Sequence, residues 1–86
     1  MINTVFSACD GGSMLQEAMV RAGVLAPTYR YYASELDKWA IKVTQKNWSD
    51  TQQLGDIYNV GLHSFNGDPI DFMAGGFPCP SFSVAG

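Results

Sequence analysis

Four short β-prone segments alternate with helical ones, and each is followed by a turn carrying an acid or a glycine pair. No other feature limits the fold of this chain as much. Residues 2–8 (Ile-Asn-Thr-Val-Phe-Ser-Ala) read as a first strand, followed by the turn Cys9-Asp10-Gly11-Gly12. Ser13 is placed to cap a helix whose periodic residues are Met14, Leu15, Ala18, Met19 and Ala22, and Gly23 ends it. After Pro27, the aromatic run Tyr29 to Ala33 predicts a second strand ending at Ser34-Glu35. A second helix is expected from about Asp37 to Lys46, packed through Trp39, Ala40 and Val43. Thr51 to Leu54 reads as a short third strand closed by Gly55-Asp56. The segment Ile57 to Gly67 reads as a short helix or an irregular crossover. Ile70 to Ala74 predicts a fourth strand, which opens into the loop Gly75 to Pro80.

Alternation of this kind implies an α/β fold with a parallel sheet, right-handed crossovers and flanking helices. In such a sheet, ligands sit beyond the carboxyl ends of the strands. Asp10, Glu35, Asp56 and Cys79 each fall just past one of those ends.

The 86 residues allow one domain, and 47% hydrophobic with 15% charged residues is a globular composition. A net charge of -3 gives no support to nucleic-acid binding, so any such function has to rest on motifs. Lys38, Lys42 and Lys46, at four-residue spacing, read as a solvated helix face. No apolar run approaches the roughly 20 residues that span a bilayer, so no membrane partner is expected. The two cysteines lack CxxC spacing, which argues against a disulfide framework or a metal site and for a reducing cytoplasm. His63 has no ligand partner at metal spacing and reads as a surface residue.

Two segments carry chemistry. The glycine pair after the first strand lets the backbone approach a ligand, and the helix behind it offers free N–H groups. Taken alone, Asp10-Gly11-Gly12 is equally an ordinary turn, and it does not match the G-x-G-x-x-G fingerprint. Glu35 has the position to accept from ribose hydroxyls and Asp56 from an adenine amino group, although each could simply be a cap or turn acid. Three acids in register favour a nucleoside cofactor. In Gly75-Gly76-Phe77-Pro78-Cys79-Pro80-Ser81-Phe82-Ser83, two prolines fix the backbone around one cysteine, the setting of an exposed nucleophile rather than a packed thiol.

These segments resemble the DNA (cytosine-5)-methyltransferase family, most closely its phage and bacterial members. The run Tyr31-Tyr32-Ala33-Ser34-Glu35-Leu36-Asp37-Lys38 through Gln45 is similar to the family's second motif region. Leu54-Gly55-Asp56-Ile57 is similar to the third, and Gly75-Gly76-Phe77-Pro78-Cys79 to the fourth. The resemblance implies a partial Rossmann-like methyltransferase fold with the parallel strand order 3-2-1-4, S-adenosylmethionine as cofactor and cytosine in DNA as substrate. It places Glu35 on the ribose, Leu36 and Ile57 against the adenine, Asp56 on its amino group, and Asp10, Gly11 and Gly12 beside the methionine portion. Cys79 is the implied nucleophile, with Pro78 and Ser83 beside the substrate. The thiolate adds to C6 of a cytosine flipped from the duplex, which activates C5 for methylation.

The sequence departs from the family at three positions: Cys9 where a stacking Phe is usual, Leu15 where many relatives keep glycine, and Pro80 where Gln or Asn follows the nucleophile. The chain is read as the N-terminal part, residues 1–86, of a catalytic domain, without the later glutamate, arginine segment or target-recognition domain. It is therefore expected to be inactive alone and to self-associate or require a complementing C-terminal fragment. The alternative is a non-catalytic remnant acting as a weak cofactor-binding or partner-binding module.

Overall fold

The computed structural model describes residues 1–75; the expected site residues Pro78, Cys79 and Ser83 lie outside them. Four strands, β1 (Ile2–Ala8), β2 (Leu25–Ser34), β3 (Gln52–Gln53) and β4 (Phe72–Gly75), form one parallel sheet in the order β3-β2-β1-β4. Helix α1 (Met14–Ala22) links β1 to β2, and α2 (Lys38–Asn47) links β2 to β3. Two 3-10 turns, Ile57–Asn59 and Leu62–Phe65, occupy the crossover to β4. This is the expected α/β fold and strand order.

Alternation along the strands divides the core in two. Val5, Tyr31 and Ala33 face α1, where they meet Met19 and Leu25. Phe6 and Tyr32 point the other way and pack on Phe65 of the second 3-10 turn. Both connections through helices step outward from β1, whereas the last connection reverses to reach β4. Constant crossover hand puts that reversed connection on the opposite face. The β1–β4 neighbourhood is the switch point of the sheet.

Local chemistry fixes the element ends. Gly23 closes α1 in the left-handed region (φ 71°), its N–H reaching Met19 and Val20 carbonyls. Asp37 caps α2 by accepting from the Trp39 and Ala40 N–H groups at 2.9 and 3.4 Å. β2 begins at Leu25, before Pro27 rather than after it. The β1–β2 register shifts between Ile2 and Thr4, so Pro27 sits where no ladder donor is needed.

Two local expectations fail. Ser13 occupies the cap position of α1 but makes no capping hydrogen bond; it is itself left-handed (φ 63°), and its hydroxyl donates to Asp10 instead. In α2, Trp39 is 75% exposed and Val43 is exposed, whereas Thr44 is fully buried. The helix docks largely through polar contacts, with Thr44 Oγ1 to the Gly11 carbonyl at 3.4 Å and Gln45 Nε2 to the Thr51 carbonyl at 3.2 Å. Hydrophobic spacing thus misplaces Trp39 and Val43, while Ala40, one turn before Thr44 on the same face, is half-buried. Trp39 instead carries the Lys42 ammonium 5.0 Å from its ring centre.

Asp68 ties the crossover to β2. Its two carboxylate oxygens accept from Arg30 at 2.5 Å and from the Tyr32 hydroxyl at 2.8 Å. Those two donors hold the Asp68 carboxyl below its usual range, Arg30 having the larger effect. A depressed folded-state pKa contributes stability above the unfolded carboxylate value, about 3.9, and that contribution is lost as pH falls through the folded value. Asp68→Asn is therefore expected to lower the melting temperature at pH 7 and to flatten the loss of stability on acidification. Melts at pH 7 and in mild acid check this; equal acid sensitivity in both proteins would remove Asp68 as a source of it.

Candidate functional site

The three strand-end acids emerge at one end of the sheet, because all four strands run in the same direction. Asp10 lies two residues beyond β1, Glu35 directly follows β2, and Asp56 lies three residues beyond β3. Two of the three turns are joined directly. The Gly11 N–H donates to Glu35 Oε1 at 2.6 Å, while Glu35 Oε2 accepts from the Leu36 and Asp37 N–H groups at 3.1 and 3.0 Å. Ser34 adds two further ties, its carbonyl accepting from the Asp10 N–H at 3.0 Å and its hydroxyl from the Cys9 N–H at 3.1 Å.

Gly11 adopts φ 66°, where a side chain is strained, and among the described residues no atom beyond its chain neighbours lies within 4 Å of where a Cβ would stand. Among those residues, the space beside the turn is open. Gly12 lies against Val43, whose Cγ1 would be 3.5 Å from an added Cβ. Leu36 is exposed beyond β2. Asp56 is tied to the first 3-10 turn, accepting from the Tyr58 N–H at 3.0 Å. Ile57 is half-buried and packs on the Phe6–Tyr32–Phe65 cluster. Asp10 is turned inward and is only 8% exposed.

Tyr31 and Ser13 are the residues that reading the sequence missed. The Tyr31 hydroxyl donates to Asp10 Oδ1 at 2.8 Å, and Ser13 Oγ donates to Oδ2. Tyr31 reads as an ordinary strand aromatic. Its pairing opposite Val5, with the ring on the α1 face, was the one available signal. Burial above all, with the adjacent Asp10 carboxylate, pushes the Tyr31 phenol well above its usual pKa and keeps it protonated as a donor.

Carboxylates thus stand beyond the ends of β2 and β3, with the glycine turn beyond the neighbouring β1 and exposed Leu36 alongside. A groove of about 600 Å³ lies elsewhere, along the first half of β2, lined by Gln16, Tyr29, Trp48 and Asp50 among others. Among the described residues, no group of three or more His, Cys, Asp or Glu is placed to hold a metal, and no helix is long and apolar enough to cross a membrane.

The chain is similar in sequence to known methyltransferases. The chain is 43% identical over 61 residues to the type II methyltransferase M.AluI of Cellulosimicrobium cellulans, a match covering 64% of this chain and 11% of that protein. It is 46% identical over 55 residues to the orphan methyltransferase M.SPBetaI of Bacillus phage SPbeta, covering 62% of this chain and 12% of the relative. A match to the type II methyltransferase M.Eco47II of Escherichia coli is 30% identical over 88 positions and covers 99% of this chain and 19% of the relative. The chain thus spans between about a tenth and a fifth of the length of these relatives. The model of the C-5 cytosine-specific DNA methylases matches residues 4–86, nearly the whole sequence, and the chain belongs to that family.

Proposed function

We propose that this chain forms the cofactor-binding and nucleophile-bearing part of a DNA (cytosine-5)-methyltransferase that uses S-adenosylmethionine. The observation that carries this reading is the Glu35 carboxylate, which closes on the glycine turn from the end of the neighbouring strand. An acid fixed there can accept from vicinal ribose hydroxyls while the open Gly11 turn admits the chain attached to the sugar. Asp56 and Ile57 would take the adenine amino group and ring, and Leu36 would pack on the opposite side. Asp10, Gly11 and Gly12 would border the amino-acid end.

The cofactor supplies an electrophilic methyl group. Cys79 would supply the other half of the reaction by adding as thiolate to cytosine C6, with Pro78 and Ser83 beside the base. The new C–S bond pushes electron density onto C5; after methylation, loss of the C5 proton expels the thiolate and restores the ring. The base has to leave the helical stack for this attack, so duplex DNA is the proposed partner of the assembled enzyme. Methyl transfer is proposed for the assembled catalytic domain and not for these 86 residues alone.

Calorimetric titration with S-adenosylhomocysteine tests the reading. Saturable one-to-one binding is expected, about tenfold weaker in Asp56→Ala through loss of one hydrogen bond to a carboxylate. Asp50→Ala, a control in the distant groove, should leave affinity unchanged. Equal affinities in all three proteins would remove Asp56 from the site, and no binding by the unmodified chain would overturn the cofactor reading.

A further inference from the structure

We propose that Tyr31 is a positioning residue for the amino-acid end of the cofactor, acting through Asp10; this rests on the cofactor reading above. Asp10 is not presented to solvent as a free ligand. It is 8% exposed, and each carboxylate oxygen accepts from an internal hydroxyl, Tyr31 on Oδ1 and Ser13 on Oδ2. What faces the ligand space is the adjoining backbone at Gly11. Asp10 therefore serves the site by shaping that backbone, and Tyr31 determines where Asp10 sits.

Tyr31 is suited to the task. It is 2% exposed and lies on β2, an interior strand flanked by β1 and β3. Its ring packs with Val5 and Met19. The second donor, Ser13, belongs to the turn's own exit and moves with it. Without the phenol hydroxyl, the Asp10 side chain would be tied only to Ser13, three residues away, and would lose its own link to β2. The ties from Ser34 and Glu35 to backbone N–H groups would remain. The effect should accordingly fall on the turn's side of the site and spare the nucleoside side.

The test compares adenosine with S-adenosylhomocysteine, which adds the homocysteine portion, on the full chain. Tyr31→Phe keeps the ring and its packing. It is expected to weaken S-adenosylhomocysteine binding about tenfold while changing adenosine affinity less than twofold. Ser13→Ala, which removes the other hydroxyl on Asp10, is expected to act in the same direction and provides the readout should Tyr31→Phe fail to fold. Tyr29→Phe serves as the structural control. It removes a 2.8 Å bond to Gln16 two residues before Tyr31 on the same strand and should lower the melting temperature with both affinities intact. Parallel loss of both ligands in Tyr31→Phe and Ser13→Ala, or loss of neither, overturns the proposal. Failure of the unmodified chain to bind either ligand would instead sink the cofactor reading beneath it.

Discussion

Phe65→Ala is expected to unfold most of this protein's second core, at a cost of about 3–5 kcal/mol. Phe65 is 7% exposed and meets Phe6 and Tyr32 edge-on, with both ring centroids at 5.2 Å. Its carbonyl also accepts from the Tyr32 hydroxyl at 3.1 Å, so the residue fastens the crossover as well as filling it. The loss has to be set against a total stability of about 5–15 kcal/mol for a domain, and a chain this short sits toward the lower end. Urea unfolding of the variant should begin at or near zero denaturant. Trp39→Ala is the contrasting case: it removes a larger ring, but one that is 75% exposed, and should change stability by no more than about 0.5 kcal/mol. A Phe65→Ala penalty below about 1 kcal/mol would mean that the 3-10 crossover does not cover the sheet as described.

Glu35→Ala is expected to weaken S-adenosylhomocysteine binding by about a hundredfold or more. It would also cost about 1–3 kcal/mol of stability, because the partly buried Gly11 N–H loses its acceptor. One side chain thus has two duties, closing the glycine turn and receiving the ribose. Glu35→Gln separates them. A carboxamide keeps one acceptor oxygen for the Gly11 N–H but sets its NH2 against the Leu36 and Asp37 N–H groups, so the melting temperature should return only in part while affinity stays about tenfold low. Titration and thermal melting of the two variants together check this. If Glu35→Ala bound the ligand as the unmodified chain does, Glu35 would be only a turn acid.

The proposed cofactor site was legible in the sequence to the extent that it depends on strand ends. Asp10, Glu35 and Asp56 each follow a β-prone run, and a parallel sheet necessarily brings such positions to one edge. Their individual duties were less legible. Asp10 reads like the other two as a strand-end acid, yet the structure turns it inward onto Tyr31 and Ser13. The Pro-Cys-Pro segment, the most specific motif in the sequence, lies outside the described residues, and its role stands on the proposal above.

The sequence by itself determined the fold class, the strand order and the family, because these depend on local preference and on motif spacing along the chain. The period-2 and helical segments, the stops at Gly23 and Gly55-Asp56, and the acids that follow the strands are all local facts. Tertiary structure alone decided which face of α2 is buried, that Ser13 abandons its helix cap for Asp10, and that Phe65, in a segment without clear periodicity, anchors the far side of the sheet. Each of those outcomes is a hydrogen bond or ring contact between residues brought together across the sheet. Hydrophobic periodicity registers how apolar a position is, not which distant polar group will meet it, so Thr44, Ser13 and Tyr31 become visible only once the strands are paired.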